Sequence, residues 1–283
     1  MSNPVFNRSP DFSIRRTPPG TPITYGHGSY PGMQGSTYYG DPAQLNAMYA
    51  GPAAGPVDTG RVTYDDVLIK SVSMFAVVLV GAALGWAIAS VQPAIIYLGG
   101  LVGFVLALIN IFKREPSPVL ITCYAVFEGL FVGGLSVFFE TAWPGIVMQA
   151  VIASLAVFGV TLALFASGKV RSSTRMNRIF LAAMLGYLVF SLINFVLMVT
   201  GLNTDAWGMR SVEVLGIPLG VILGIFVVFL AAYSFVLDFD RIKYAVENGA
   251  PRKIAWTSAF GLLLTLIWLY LEILRMLAIS RSR

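Results

Sequence analysis

Charge is what this chain has least of. Of its 283 residues only 12% are Asp, Glu, Lys or Arg, against about 25% in an ordinary soluble domain, while 57% are hydrophobic. Such a composition excludes a soluble globular domain and indicates a polytopic membrane protein. There is one cysteine, Cys123, inside an apolar stretch, so an internal disulfide is excluded. The one histidine, His27, lies in a Gly-rich segment, and a zinc site would need three or four clustered ligands. Phosphate loops, nucleophile elbows and His-based dyads are missing too, so the chain reads as no enzyme and no resident cofactor is expected. Without an EF-hand loop, high-affinity calcium storage is excluded. The net charge of +5 is scattered through short links and forms no patch, which argues against a nucleic-acid partner.

Residues 1–60 differ from the rest. The run Arg15-Arg16-Thr17-Pro18-Pro19-Gly20-Thr21-Pro22 and the Gly/Tyr/Pro/Ser-rich stretch up to Pro56 have no apolar periodicity. A segment that buries so little cannot offset the entropy of ordering, so a disordered tail is expected. It has no apolar h-region and does not read as a signal peptide, twin arginine or not. Residues 65–283 form the second unit, a transmembrane domain.

Seven apolar stretches follow, at about 71–91, 94–112, 119–139, 145–166, 179–199, 215–237 and 254–279. Each is close to the roughly 20 residues that span a bilayer. With no water to satisfy their backbone groups they must be helices, and unalternating strands of this length would not close a barrel. The second, fourth and sixth links carry ten Lys and Arg residues, whereas the first, third and fifth carry only Arg210. That asymmetry predicts a multi-pass protein of the cell (inner) membrane with the N-terminus in the cytoplasm. An odd number of spans then puts the C-terminus outside.

Small residues four apart mark where helices approach closely in lipid. Gly81 and Gly85 have that spacing in the first span, Gly129 and Gly133 in the third, and Gly216, Gly220 and Gly224 in the sixth. Pro218 is expected to bend the sixth helix near its outer end. The seventh span carries Ser258, Gly261, Thr265, Trp268, Glu272 and Arg275 at steps of three and four, one stripe of a helix. A helix with one such stripe faces other helices or a hydrated cavity on that side.

Two carboxylates stand deep in apolar surroundings, Glu128 in the third span and Glu272 in the seventh. An ionisable group at bilayer depth is costly and marks an ion, proton or substrate path by default. Glu272 and Arg275 can pair within their helix, as a structural ion pair or as part of a path. Glu128 has no basic residue within a turn, so its partner comes from another helix or it is protonated, a path-lining acid or a helix-packing acid.

The sixth span ends in Val236-Leu237-Asp238-Phe239-Asp240-Arg241-Ile242, and the seventh contains Leu269-Tyr270-Leu271-Glu272 followed by Leu274-Arg275-Met276-Leu277. With Phe127-Glu128-Gly129-Leu130 in the third span, residues 65–280 resemble the Bax inhibitor (transmembrane Bax inhibitor motif) family, as a bacterial member. The resemblance implies seven helices, the last at the centre and wrapped by two groups of three. It also implies a pH-sensitive cation leak passing Ca²⁺, in which two acids share a proton as gate and sensor. Asp238 matches the first acid. Glu272 matches the second, as Glu where the family has Asp, and both would offer weak Ca²⁺ ligands, with Ca²⁺ and H⁺ as the ions moved. Asp238 lies at the cytoplasmic edge of its span and Glu272 in the outer half of its own, so Asp240 is an alternative neighbour of Asp238, or it pairs with Arg241 and Lys243. Bacterial relatives also suggest a non-conducting reading, a membrane stress or regulatory protein that binds a membrane protease or another membrane partner through its tail.

Overall fold

The structure is a computed structural model that describes residues 60–113 and 116–282; the expected disordered tail lies outside the described residues. Seven helices long and apolar enough to cross a membrane account for most of them. They are α1 (Tyr64–Ala89), α2 (Ala94–Phe112), α3 (Pro118–Ala142), α4 (Ile146–Ala166), α5 (Thr174–Val199), α6 (Leu219–Glu247) and α7 (Ile254–Arg281). Between α5 and α6 come a 3₁₀ turn at Gly208–Ser211 and a two-stranded antiparallel hairpin, β1 (Glu213–Val214) with β2 (Ile217–Pro218).

Helix α7 is the axis. It touches α1, α3, α4 and α6 and reaches α5 through Glu272. Its Ala255, Ala259, Leu263, Leu269, Ile273, Leu274 and Ala278 are all buried. Around it, α1–α3 make one group and α4–α6 the other. On α5 only Asn194 is buried, and Ile179, Leu181, Leu185, Leu188, Leu192, Ile193 and Phe195 are exposed, as suits a helix bathed in lipid. The basic links emerge at one end, called the basic end below, and Trp143, Arg210 and Arg281 lie towards the other.

The glycine spacing in α1 and α3 marks a real crossing. A Cβ on Gly81 would come 2.9 Å from the Val126 carbonyl oxygen and 3.2 Å from the Gly129 Cα. Gly133 lies directly on the Ala82 backbone, leaving no room for even a methyl group. Lipid supplies no hydrophobic force between helices, so backbone approach of this kind holds the pair together by dispersion. The sixth-span glycines divide differently. Gly220 and Gly224 receive Ile279 and Met276 of α7, but Gly216 has φ +78° and lies in the hairpin. Pro218 precedes the first turn of α6 instead of bending it.

Several helices outrun their apolar stretches because their ends are held by polar groups. At the start of α1, Thr63 Oγ1 accepts from the Asp66 N–H at 3.1 Å, and Asp66 Oδ2 accepts from the Thr63 N–H at 3.3 Å. This is a reciprocal cap of the kind that fixes helix starts. Arg252, in the link between α6 and α7, donates to Asp66 Oδ1 from Nε at 2.8 Å and pairs with it through Nη2 at 2.7 Å. The Val62 N–H donates to the Ala250 carbonyl at 2.8 Å, and Lys70 lies 5.4 Å over the Trp256 ring. These contacts tie α1 to the α6–α7 link at the basic end of the bundle.

The crossing predicts a sharp contrast between two glycines. Gly133→Ala should lower stability by about 1–3 kcal/mol, the usual cost of overpacking. Gly159→Ala, where the added Cβ meets nothing within 4 Å, should be neutral or mildly stabilising. Thermal unfolding of both variants in detergent checks this, and equal effects would contradict the crossing.

Candidate functional site

The polar stripe of α7 forms a seam that runs through two separate polar clusters. Near the basic end, α6 carries Asp238 inward against α7. The Thr265 hydroxyl donates to Asp238 Oδ2 at 2.8 Å, and Ser234 lies 3.5 Å from Thr265. Gly261 leaves space beside the carboxylate, since a Cβ there would lie 3.6 Å from Oδ1. Arg241 stands 4.0 Å from Asp238 but is 80% exposed, so it reaches across from solvent. A cavity of about 530 Å³ leads to this point, lined by Asn110, Lys113, Asp238, Thr257, Ser258 and Gly261 among others. Ser258 and Gly261 belong to the stripe, so the seam faces this cavity, with Asn110, Asp238, Thr257 and Ser258 as polar groups in a mainly apolar lining.

Nearer the other end, Glu272 is 3% exposed and Arg210 only 4%. Tyr187 of α5 donates a short hydrogen bond to Glu272 Oε1. Arg275 Nη2 donates to the same oxygen at 3.0 Å, and Arg210 Nη1 lies 3.9 Å from Oε2. The other nitrogen of the fork, Arg210 Nη2, donates to Tyr187 Oη at 3.0 Å and Ser191 Oγ at 3.1 Å. The guanidinium also lies 5.4 Å from the Tyr187 ring centre and 5.7 Å from that of Phe190, within cation–π range. The pair expected within α7, Glu272 with Arg275, is therefore present as part of a larger cluster.

The clusters are distinct. Thr265 and Glu272 are seven residues apart on α7, about 10 Å by helical rise. Between them Trp268 packs on Tyr187 at 6.4 Å, and Leu269 is wholly buried. Asp238 and Glu272 thus share no proton in this structure; each has its own partners. Their separation is nevertheless smaller than the sequence boundaries suggest. Helix α6 does not stop at Leu237 but runs to Glu247, and α7 returns alongside it, so Asp238 sits well inside the α6–α7 hairpin and not at the end of a helix.

The remaining predicted residues have other neighbours. Asp240, two positions from Asp238 and on another face of α6, accepts from the Ser172 N–H at 2.7 Å and ties down the α4–α5 link. Lys243 pairs with Glu247 at 3.7 Å. Glu128 faces α2, where a Cβ on Gly103 would come 2.8 Å from its Oε2. The three carboxylates Glu128, Asp238 and Glu272 are not brought to one cavity. Sequence reasoning missed Arg210 and Tyr187. The signal for Arg210 was its isolation: it was the single cation in the links of its side.

Among the described residues, the Thr265 hydroxyl gives Asp238 its one close hydrogen bond. Thr265→Val should cost about 0.5–1.5 kcal/mol, the net worth of one hydrogen bond at a carboxylate that faces a cavity, and Thr265→Ser should restore most of it. Unfolding of the two variants in detergent measures the difference, and a Thr265→Val protein as stable as wild type would contradict the arrangement.

Comparison with known proteins bears on the chain as a whole. No curated protein matches it significantly. The family model described as Bax inhibitor 1 like matches residues 3–282, taking in the N-terminal segment as well as the helices whose motifs carry the resemblance. With nearly the full length matched and seven membrane-spanning helices in place, this chain belongs to the Bax inhibitor 1 like family.

Proposed function

We propose that this protein is a cation leak pathway of the cell membrane, passing Ca²⁺ under the control of a proton at Asp238. The observation that carries the reading is the cavity of about 530 Å³ that leads from the basic end to the Asp238 carboxylate. Such a space is polar where it meets the α7 stripe, and an ionisable group facing it at bilayer depth is what an ion or proton path requires. By the loop-charge rule the basic end is cytoplasmic, so the cavity is a cytoplasmic vestibule, and the C-terminus of α7 is outside. On this reading the protein is a transporter and not an enzyme.

The chemistry follows from the groups around the carboxylate. Ionised Asp238, with the oxygens of Asn110, Thr257, Ser258 and Thr265 nearby, offers the hard, flexible oxygen environment that suits Ca²⁺. Among the described residues no three His, Cys, Asp or Glu side chains converge as metal ligands, so calcium is cargo with a weak, passing contact. Protonation removes the charge of Asp238 and the attraction with it. The groups facing Asp238 are Thr265 and Gly261 of α7, Ser234 and Arg241 of its own helix, and Lys113 at the cavity rim. Flux is therefore expected to rise with pH. Glu272, in its arginine cluster, is the gate member on the far side of the Trp268–Leu269 barrier, and Glu128 is an acid that packs α3 against α2.

One observation favours a second reading. The three membrane carboxylates face three different surroundings, as in a non-conducting protein whose buried charges are structural and whose function is to bind a membrane protease or another membrane partner. Calcium flux into liposomes holding the purified protein, measured from pH 6 to 8, separates the two. Wild type should exceed empty liposomes and pass more calcium at pH 8 than at pH 6, and Asp238→Asn should lose that dependence. Flux at the level of empty liposomes throughout would overturn the leak reading in favour of the binding protein.

A further inference from the structure

We propose that Arg210 is the charge barrier that closes this path at the end opposite the vestibule, with Glu272 acting as the residue that holds it there. The inference rests on the leak reading above and adds to it a residue that sets how much passes.

Arg210 belongs by sequence to a link, yet its guanidinium is 96% shielded and reaches Glu272 about 13 Å inside the last residue of α7, taking nine residues of helical rise to Arg281. Burying an arginine costs several kcal/mol before partners are counted, and nothing about membrane topology asks for it. The surrounding segment is built to keep it there. Trp207 stacks on Phe139 at 6.1 Å and lies 6.4 Å from Trp143. The Met209 N–H donates to Asn194 Oδ1 at 2.6 Å, the only buried side chain of α5 among the described residues. Gly208 has φ +61° and its Cβ position is occupied by Asn194, so only glycine allows the turn that aims Arg210 inward. Gly220 makes room for it, since a Cβ there would come 3.1 Å from the Arg210 Cβ.

The charges in the cluster do not balance. The groups facing Arg210 are Glu272 and Arg275 from α7 and the neutral Tyr187, Ser191 and Phe190 from α5. Two guanidiniums on one carboxylate leave a net positive charge, held by Arg210 at 4% exposure while Arg275 is 30% exposed. A cation that passes Asp238 and moves along the α7 seam meets that charge in surroundings of low dielectric, and a fixed arginine in a narrow passage excludes cations by this means. Without Arg210, Glu272 and Arg275 would neutralise one another and the space of the guanidinium would open.

The test is calcium flux into liposomes for wild type, Arg210→Gln, Arg210→Lys, Asp238→Asn and the double variant Arg210→Gln/Asp238→Asn. Each is first checked for a single detergent gel-filtration peak, and each liposome sample for retention of a trapped dye. Arg210→Gln should raise flux by about tenfold, a factor that needs only about 1.4 kcal/mol off the barrier. Arg210→Lys, which keeps the charge but loses the fork, should raise it less, and the double variant should lose the gain. Wild-type flux in Arg210→Gln, with flux still sensitive to Asp238→Asn, would overturn the barrier and leave the leak reading standing. A gain that survives in the double variant, that is matched by Arg210→Lys, or that comes with dye release would also overturn it. Absence of flux in every sample would remove the leak reading and the barrier together.

Discussion

In hydrocarbon a polar side chain must find its partner inside the protein, and four polar side chains of α7, Ser258, Thr265, Glu272 and Arg275, lie on one stripe. The rest of the structure follows from where that stripe can be accommodated. A helix at the edge of the bundle would turn it to lipid; at the centre it meets α6 with Asp238, α5 with Tyr187, and the α5–α6 link with Arg210. The other faces of α7 are mainly apolar and pack on α1, α3 and α4, with Tyr270 making one buried hydrogen bond to Ser136 of α3 at 2.6 Å. The glycine crossing of α1 on α3 supplies a rigid half against which this central helix rests.

The two groups of three helices are held in different ways. The α1–α3 group is joined by backbone contact at Gly81, Gly129 and Gly133. Helix α5, in the other group, is attached mainly by polar links. Tyr187 binds Glu272, Asn194 binds Met209, and Tyr233 of α6 donates to Asn177 at 2.6 Å. An element held by a few hydrogen bonds opens at lower cost than one held by extensive burial, so movement in this protein is expected first where α5 and its link meet α7. That is also where the positive cluster closes the seam.

Much of this could be read in the sequence. Hydropathy alone located the seven spans, and the period of small and polar residues picked out the α7 stripe and the close-packing faces of α1 and α3, though not that these two faces meet. The Glu272–Arg275 pair followed from their three-residue spacing. Helix ends did not, because hydropathy measures hydrocarbon depth and not helix length. The cap at Thr63 starts α1 well before its apolar run, and α6 continues past Asp238 to Glu247. With those ends unknown, Asp238 and Glu272 seemed farther apart than they are, and Asp238 took the place of a loop residue. Arg210 was counted only as a topological charge, since its burial depends on a chain reversal at Gly208 and on space left by Gly220. No local pattern expresses those.

On the leak reading, the α7 seam is open to water from the basic end as far as Asp238 and closed beyond it. Single cysteines on a Cys123→Ala background, treated in sealed vesicles with a membrane-impermeant cationic thiol reagent, test it directly. Ser258→Cys and Gly261→Cys should be modified from the basic side, and Leu269→Cys should stay unmodified from either side. Unreactive cysteines at both 258 and 261, or one at 269 that reacts as fast as they do, would contradict the account.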